Sequence, residues 1–257
     1  MDEKVFIKKS TLTSIGDAIR SKEGTTELIP TAEMAARIEA ISGGLALEES
    51  AVSLRLYSLN SLGKSDATLN LLKAETLDGL CYASTAQFEK NNTVEHLTIN
   101  CPNAVKKIAN MLNGTKDETL RHLTLNVDTS AIDDARYAFY GNYALEIIDG
   151  TPLDLSNVTI GTSLGNVFRL CYALREVRCK GTIQASIELF HSRDISKESV
   201  LNIFSCLSDD SVNLLAKFSR TAIDKLFETS EGAKDGSSSA EWLALVATKP
   251  NWNIAVE

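Results

Sequence analysis

The stretch Val94-Glu-His-Leu97-Thr-Ile99-Asn100 returns downstream as Leu120-Arg-His-Leu123-Thr-Leu125-Asn126 and as Leu174-Arg-Glu-Val177-Arg-Cys179. A weaker copy reads Leu145-Glu-Ile-Ile148-Asp-Gly150. The leading apolar position of the four copies recurs after 26, 25 and 29 residues. Self-similarity at a fixed period of this size indicates stacked structural repeats. The middle of the chain is therefore predicted to be a solenoid, an architecture that usually offers an extended binding surface.

The copies share the spacing L-x-x-L-x-L, which is the core of a leucine-rich repeat. Segments with helical periodicity, residues 105–112 and 135–143, lie between the copies. Neither a strand nor a helix of this size can bury its apolar face alone, so stacked units must share one core. The predicted fold class is α/β, with a short leucine-rich-repeat solenoid of parallel strands backed by helices over residues 45–190.

Strand alternation divides each copy into inward and outward side chains. The predicted inward positions are Leu97, Ile99, Leu123, Leu125, Val177 and Cys179. The outward positions form a candidate partner-binding face that consists of His96, Thr98, Asn100, His122, Thr124, Asn126, Asp149, Glu176 and Arg178. In-register parallel strands lie about 4.8 Å apart, so residues of one column are neighbours. We therefore expect Asp149 to pair with Arg178.

The residue after the leading apolar position alternates in charge along the array, through Glu95, Arg121, Glu146 and Arg175. This row could be a specific contact surface, but control of strand register by exposed ion pairs, each worth about 0 to 1 kcal/mol, is the favoured interpretation. His96 and His122 raise the question of a metal site. Two imidazoles are too few for zinc, which needs three or four protein ligands. No metal and no cofactor is predicted.

Composition excludes several classes of function. The chain has 257 residues and a formal net charge of −8, and it has no basic run, which argues against binding to nucleic acid. The five cysteines form no CxxC pair, so they are expected to be core residues and not zinc or disulfide ligands. No stretch is long enough to span a membrane and no apolar run resembles a signal peptide, so we expect synthesis and initial retention in the cytoplasm.

Residues 1–44 are predicted to be a separate helical hairpin for anchoring or assembly. Ser10 or Thr11 can cap the first helix, and Pro30 can begin the second. Two short helices bury too little surface to be stable alone, so the hairpin should dock on a partner or self-associate. Its apolar stripes form a candidate assembly face that consists of Leu12, Ile15, Ile19, Met34, Ile38 and Ile41.

Residues 191–257 are predicted to be an α+β capping region that hides the open edge of the last repeat. Its predicted elements are a helix capped by Ser196, a strand over residues 212–218, helices near Ile223 and Trp242, and a closing strand over residues 252–256. Trp242 and Trp252 could bind a ligand, but packing inside the cap is favoured because an indole buries a large area.

The string Lys9-Ser-Thr-Leu-Thr-Ser-Ile-Gly-Asp-Ala-Ile-Arg20, followed by Met34-Ala-Ala-Arg-Ile38, resembles the amino-terminal motif of tail-associated structural proteins from phages and prophages of Gram-positive, clostridia-like bacteria. The repeats resemble the BspA-like leucine-rich repeats that often follow that motif. Residues 195–204 and 249–256 resemble the segments that close such arrays. The repeats here are few and irregular, and residues 232–239 form an insert where the family has a tight link.

The resemblance implies a non-enzymatic virion protein of the tail, baseplate or fibre, assembled in the host cytoplasm and homo-oligomeric. Its expected partners are other virion proteins, or a protein or glycan of the host surface. A cellular leucine-rich-repeat adhesin or scaffold is the alternative. A tail hydrolase of cell wall or glycan is a minor alternative, for which Asp133-Asp134 and Asp209-Asp210 offer carboxylates. Adjacent carboxylates usually point apart, and both pairs are interpreted as solvated loops.

Overall fold

The structure is a computed structural model that describes residues 47–48, 66–74, 76–77, 94–113, 119–159, 164–210, 213–227 and 239–257. The predicted hairpin of residues 1–44, with its candidate assembly face, lies outside the described residues. So do Cys81 and all but the last residue of the insert at 232–239.

Two parallel sheets form a solenoid of roughly four turns. The larger sheet has six strands in chain order: β1 (Leu47–Glu48), β2 (Asp66–Lys73), β3 (His96–Ala104), β4 (His122–Asp128), β5 (Ile147–Asp154) and β6 (Glu176–Lys180). The smaller sheet has three: β7 (Ile187–Leu189), β8 (Leu214–Phe218) and β9 (Trp252–Val256). The prediction of a short solenoid with parallel strands is confirmed.

The register of the strands agrees with the repeat pattern for the first two copies. His96 lies opposite His122, and Thr98 lies opposite Thr124. All six positions predicted to point inward are buried, with Ile99 and Leu123 fully inaccessible to solvent. Each buried leucine, isoleucine or valine of this column contributes about 1.5–3 kcal/mol relative to an exposed side chain.

The helices predicted between the strands are absent from the described residues, and turns stand in their place. The reason is visible in the backbone hydrogen bonds. Ile108 N–H donates to the carbonyl of Asp134 at 3.0 Å, and Leu112 N–H donates to that of Ala138 at 2.7 Å, so these amides bond to the next turn of the solenoid and not within a helix. Apolar residues three apart, such as Ile108 and Met111, suit a chain of tight turns. Met111 N–H indeed bonds three residues back, to Ile108.

Left-handed residues also exclude helices from these segments. Asn110, Tyr137 and Leu170 have φ angles of 53°, 57° and 64°, which a right-handed helix cannot contain. Behind the turns, Phe139 and Phe168 stack in the core with ring centroids 5.6 Å apart and an interplanar angle of 15°. Both aromatics precede the leading apolar residue of their repeats by six positions, so they form an interior column.

Helices occur after residue 196, as the sequence predicted: α1 (Lys197–Cys206), α2 (Arg220–Leu226) and α3 (Ala240–Ala247). Ser196 caps α1 by accepting a hydrogen bond from Ser199 N–H. Trp242 and Trp252 are 2% and 6% exposed, so both pack in the core as expected. Within the described ranges, none of these helices has the length and apolar character needed to cross a membrane.

Helix α1 lies beside the outer edge of β6 and bonds to it through side chains. Ser199 Oγ accepts a hydrogen bond from Val177 N–H at 3.1 Å. The amide of Asn202 accepts from Cys179 N–H at 2.7 Å and donates to the Cys179 carbonyl at 3.1 Å. The Asn202 amide therefore takes the place of a peptide group of a further strand, and the backbone of β6 is satisfied where the six-stranded sheet ends.

Candidate partner-binding face

The outward side chains of β2 to β5 form a surface on which successive strands repeat the same residue types. We call it the polar ladder face, and it consists of Asp66, Thr68, Asn70, His96, Thr98, Asn100, His122, Thr124, Asn126 and Asp149. The face arises because Thr-Leu/Ile-Asn recurs at the same register in three adjacent strands. Seven of its ten residues belong to the candidate face predicted from the sequence.

Asparagines at one edge of the face form a continuous hydrogen-bonded ladder. Asn126 Nδ2 donates to Asn100 Oδ1 at 2.7 Å, and Asn100 Nδ2 donates to Asn70 Oδ1 at 2.7 Å. The Nδ2 atom of Asn70 is buried and has no hydrogen-bond partner among the described residues. Identical amides stacked at the strand spacing hold one another in a single orientation, so the ladder is rigid.

Histidines at the opposite edge are held by carboxylates. His96 Nδ1 lies 2.7 Å from Asp66 Oδ1, and His122 Nε2 lies 2.8 Å from Asp149 Oδ2. A carboxylate can only accept, so each imidazole donates through that nitrogen. The two imidazoles pack edge to face with centroids 5.9 Å apart. In the part of the chain that the structure describes, no group of three or more His, Cys, Asp or Glu side chains is placed to hold a metal ion.

Asp66, Thr68 and Asn70 were not predicted as members of the face. Ala67 stands where the other copies have leucine, isoleucine or valine, and this departure from the pattern obscured the copy in β2. A usable signal was present, since Thr68-Leu-Asn70 has the same spacing as Thr98-Ile-Asn100.

The regular face ends at a bulge in β5. Ile148 pairs with Val177, but the next inward pair is Leu153 with Cys179, so four residues of β5 lie where β6 has one, and β5 carries three additional residues within 149–152. Gly150 at the bulge has φ +88°, and a Cβ there would lie only 2.5 Å from the Leu125 carbonyl oxygen. Glycine is therefore required, because the bulge runs directly against β4.

The bulge contradicts the expected ion pair between Asp149 and Arg178. Asp149 turns back to His122, and Arg178 bonds instead to Glu198 of α1 at 2.8 Å. A polar cleft of about 280 Å³ remains between the bulge and the first turn of α1, and it is lined by Asp149, Glu176, Arg178 and Glu198 among others. The structure thus places the last three residues of the predicted face around this cleft, next to the ladder.

The alternating row of charges beside the face forms ion pairs. Glu146, which directly precedes β5, accepts from Arg121 at 3.1 Å and from Arg175 at 3.3 Å, the residues that directly precede β4 and β6. All three side chains are about one-third to one-half exposed, so each pair contributes at most about 1 kcal/mol. Their geometry agrees with a role in strand register.

The carboxylates considered for hydrolysis have structural partners. Asp134 is buried, and its carboxylate accepts two hydrogen bonds from the Arg136 guanidinium at 2.8 and 2.9 Å. The guanidinium holds the pKa of Asp134 below its usual value. The expectation of a solvated loop is wrong for this residue. Asp209 is exposed and accepts from Lys249 Nζ at 2.7 Å.

The four described cysteines are free thiols in the core, as predicted: Cys101, Cys171, Cys179 and Cys206. Burial raises the pKa of Cys171 and that of Cys179 to about 12. At neutral pH these two thiols are protonated and behave as small apolar side chains.

The polar ladder face combines donors and acceptors whose positions are fixed by bonds along each column. Such a surface can bind a partner with little loss of side-chain freedom. No family model, curated protein or solved structure matches this chain.

Proposed function

We propose that this chain is a non-enzymatic structural protein of a phage virion, part of the tail, baseplate or fibre, and that the polar ladder face contacts another virion protein or the host surface. The identity rests on the resemblance of residues 9–38 to the tail-protein motif. The binding role rests on one observation, the in-register Asn and His columns across three strands.

The ladder supports a binding role through preorganisation. Ordering a rotamer-rich side chain at an interface costs about 0.5–1.5 kcal/mol. On this face the Asn100 and Asn126 amides and the His96 and His122 rings are already held by neighbours at 2.7–2.8 Å. A partner that adds hydrogen bonds therefore meets side chains whose entropy has already been lost on folding.

Each of the three predicted regions has its own role in the proposed function. Residues 1–44 anchor the chain to the particle, the solenoid presents the face, and residues 191–257 close the array. The bonds of Ser199 and Asn202 to β6 support the closing role, because they satisfy an edge that would otherwise pair with another chain. Assembly as a homo-oligomer is expected from the symmetry of virions.

The test uses a prophage that encodes the chain. Thr98 and Thr124, half-buried at the centre of the face, are both changed to glutamate, and Lys106→Glu, an exposed change outside the face, is the matched control. We expect the double variant to lose infectivity while the control keeps it. Intact particles that fail to adsorb would assign the face to the host, and incomplete particles would assign it to another virion protein. Full infectivity of a folded double variant would overturn the binding role.

A further inference from the structure

A second group of polar side chains lies away from the polar ladder face, where the turn segment of residues 164–174 meets the segment that follows β7. His191 is half-buried at its centre, and its ring packs against Tyr172 with centroids 5.4 Å apart and against Phe190 at 4.0 Å. Tyr143 extends the row, with its centroid 5.1 Å from that of Tyr172. The rings come from three successive passes of the chain.

A backbone hydrogen bond determines the tautomer of the neutral His191 imidazole. Leu170 N–H donates to His191 Nδ1 at 3.0 Å, so this nitrogen is an acceptor. The proton of the neutral imidazole must then be on Nε2, which makes Nε2–H a donor. The left-handed conformation of Leu170, with φ 64°, accompanies this bond.

Two exposed guanidinium groups flank the imidazole. Arg193 lies over the ring of Tyr172, with Cζ 5.5 Å from the centroid. Arg169 donates to Asn166 Oδ1 at 3.2 Å. Burial lowers the pKa of the His191 imidazole, and the nearby charges of Arg169 and Arg193 lower it further.

Among the described residues, neither guanidinium forms an ion pair with a carboxylate. Within the described ranges, the ion pairs formed by arginine involve Arg121, Arg136, Arg175 and Arg178, and none of those pairs includes Arg169 or Arg193. Two guanidinium groups without an ion pair among the described residues thus lie near a fixed N–H donor, on a chain with a net charge of −8. The local potential favours an anion, although the chain as a whole repels one.

We propose that Arg169, Arg193 and the Nε2–H of His191 bind an oxoanion, a phosphate or carboxylate group carried by a ligand that packs on Tyr172. A guanidinium presents parallel N–H donors that match two oxygens of either group, and stacking on an aromatic ring orients that fork in advance. The site is independent of the polar ladder face and of the proposed virion role, so a separate binding experiment tests it.

The test is an NMR titration of the folded chain with sodium phosphate and, separately, with sodium glucuronate, against sodium chloride at matched ionic strength. We expect saturable shifts of the His191 and Tyr172 ring signals with at least one oxoanion and none with chloride. Bound anion should also raise the pKa of His191, since a nearby negative charge favours the protonated ring. Phosphate binding alone would identify a phosphoryl ligand, and glucuronate binding alone would identify a carboxylate.

Variants assign the effect to the site. Arg193→Gln should weaken binding by at least about tenfold, the size expected when one charge-assisted contact is lost. Lys225→Gln removes an exposed cation that pairs with Asp194, and it should bind as the parent does. Shifts that fail to saturate with either oxoanion, or that persist unchanged in Arg193→Gln, would overturn the proposal.

Discussion

Replacing Asn202 by alanine tests how the six-stranded sheet ends. The Asn202 amide bonds both the N–H and the carbonyl of Cys179, at 2.7 and 3.1 Å, and Cys179 is only 3% exposed. Alanine leaves two buried backbone groups without partners, and each costs about 1–3 kcal/mol. We expect a loss of about 2–6 kcal/mol, or a fall in melting temperature of roughly 4–24 °C for a chain of this size.

The assay is urea unfolding followed by circular dichroism, with a calorimetric melt as a second readout. Leu201→Ala is the control, because Leu201 is the preceding residue on α1 and is 43% exposed. That change should stay within about 0.5 kcal/mol of the parent. Asn202→Ala should also increase association in light scattering, since the edge of β6 becomes free to pair. An Asn202→Ala variant as stable as the control would refute the role of this side chain.

Three further outcomes are expected. Gly150→Ala should cost more than about 2 kcal/mol in urea unfolding, because φ is +88° and the added Cβ would meet the Leu125 carbonyl oxygen at 2.5 Å, and an unchanged midpoint would contradict that close approach. Asp134→Asn should lose about 1–3 kcal/mol at neutral pH. The Arg136 guanidinium lowers the folded pKa of Asp134, so this stabilisation is present above the ordinary pKa and disappears as pH falls through the folded one. A gap between parent and variant that persists in strong acid would be inconsistent with this linkage. Cys171, with a pKa near 12, should react with a thiol reagent only after unfolding, as peptide mapping would reveal, and rapid labelling of the folded chain would count against its burial.

The repeat pattern was sufficient for the parallel solenoid and most of the polar ladder face, because strand alternation has only two possible outcomes at each position. Thr98 and Thr124, for example, had to be neighbours once Leu97 and Leu123 were placed inward. The predicted ion pair between Asp149 and Arg178 is wrong because β5 carries three additional residues within 149–152. The interval from Leu145 to Leu174, longer than the earlier ones, was the available sign of this bulge.

The turns were mistaken for helices because apolar residues three apart fit both structures over a short window. The backbone N–H groups of Ile108 and Leu112 bond to the neighbouring turn of the solenoid, which excludes a helix. Periodicity within a short segment carries no information about a hydrogen-bond partner that is more than twenty residues away. The site around His191 was out of reach for a similar reason. Arg169 and His191 are separated by more than twenty residues, and no spacing rule joins them.

The most direct test of the proposed virion role is quantitative peptide mass spectrometry on density-purified particles from an induced culture of the bacterium that encodes the chain. We expect the chain in a fixed, stoichiometric ratio to the major tail protein, retained through repeated purification. Particles without the chain, recovered from cells that contain it, would contradict the virion role and favour a cellular binding scaffold.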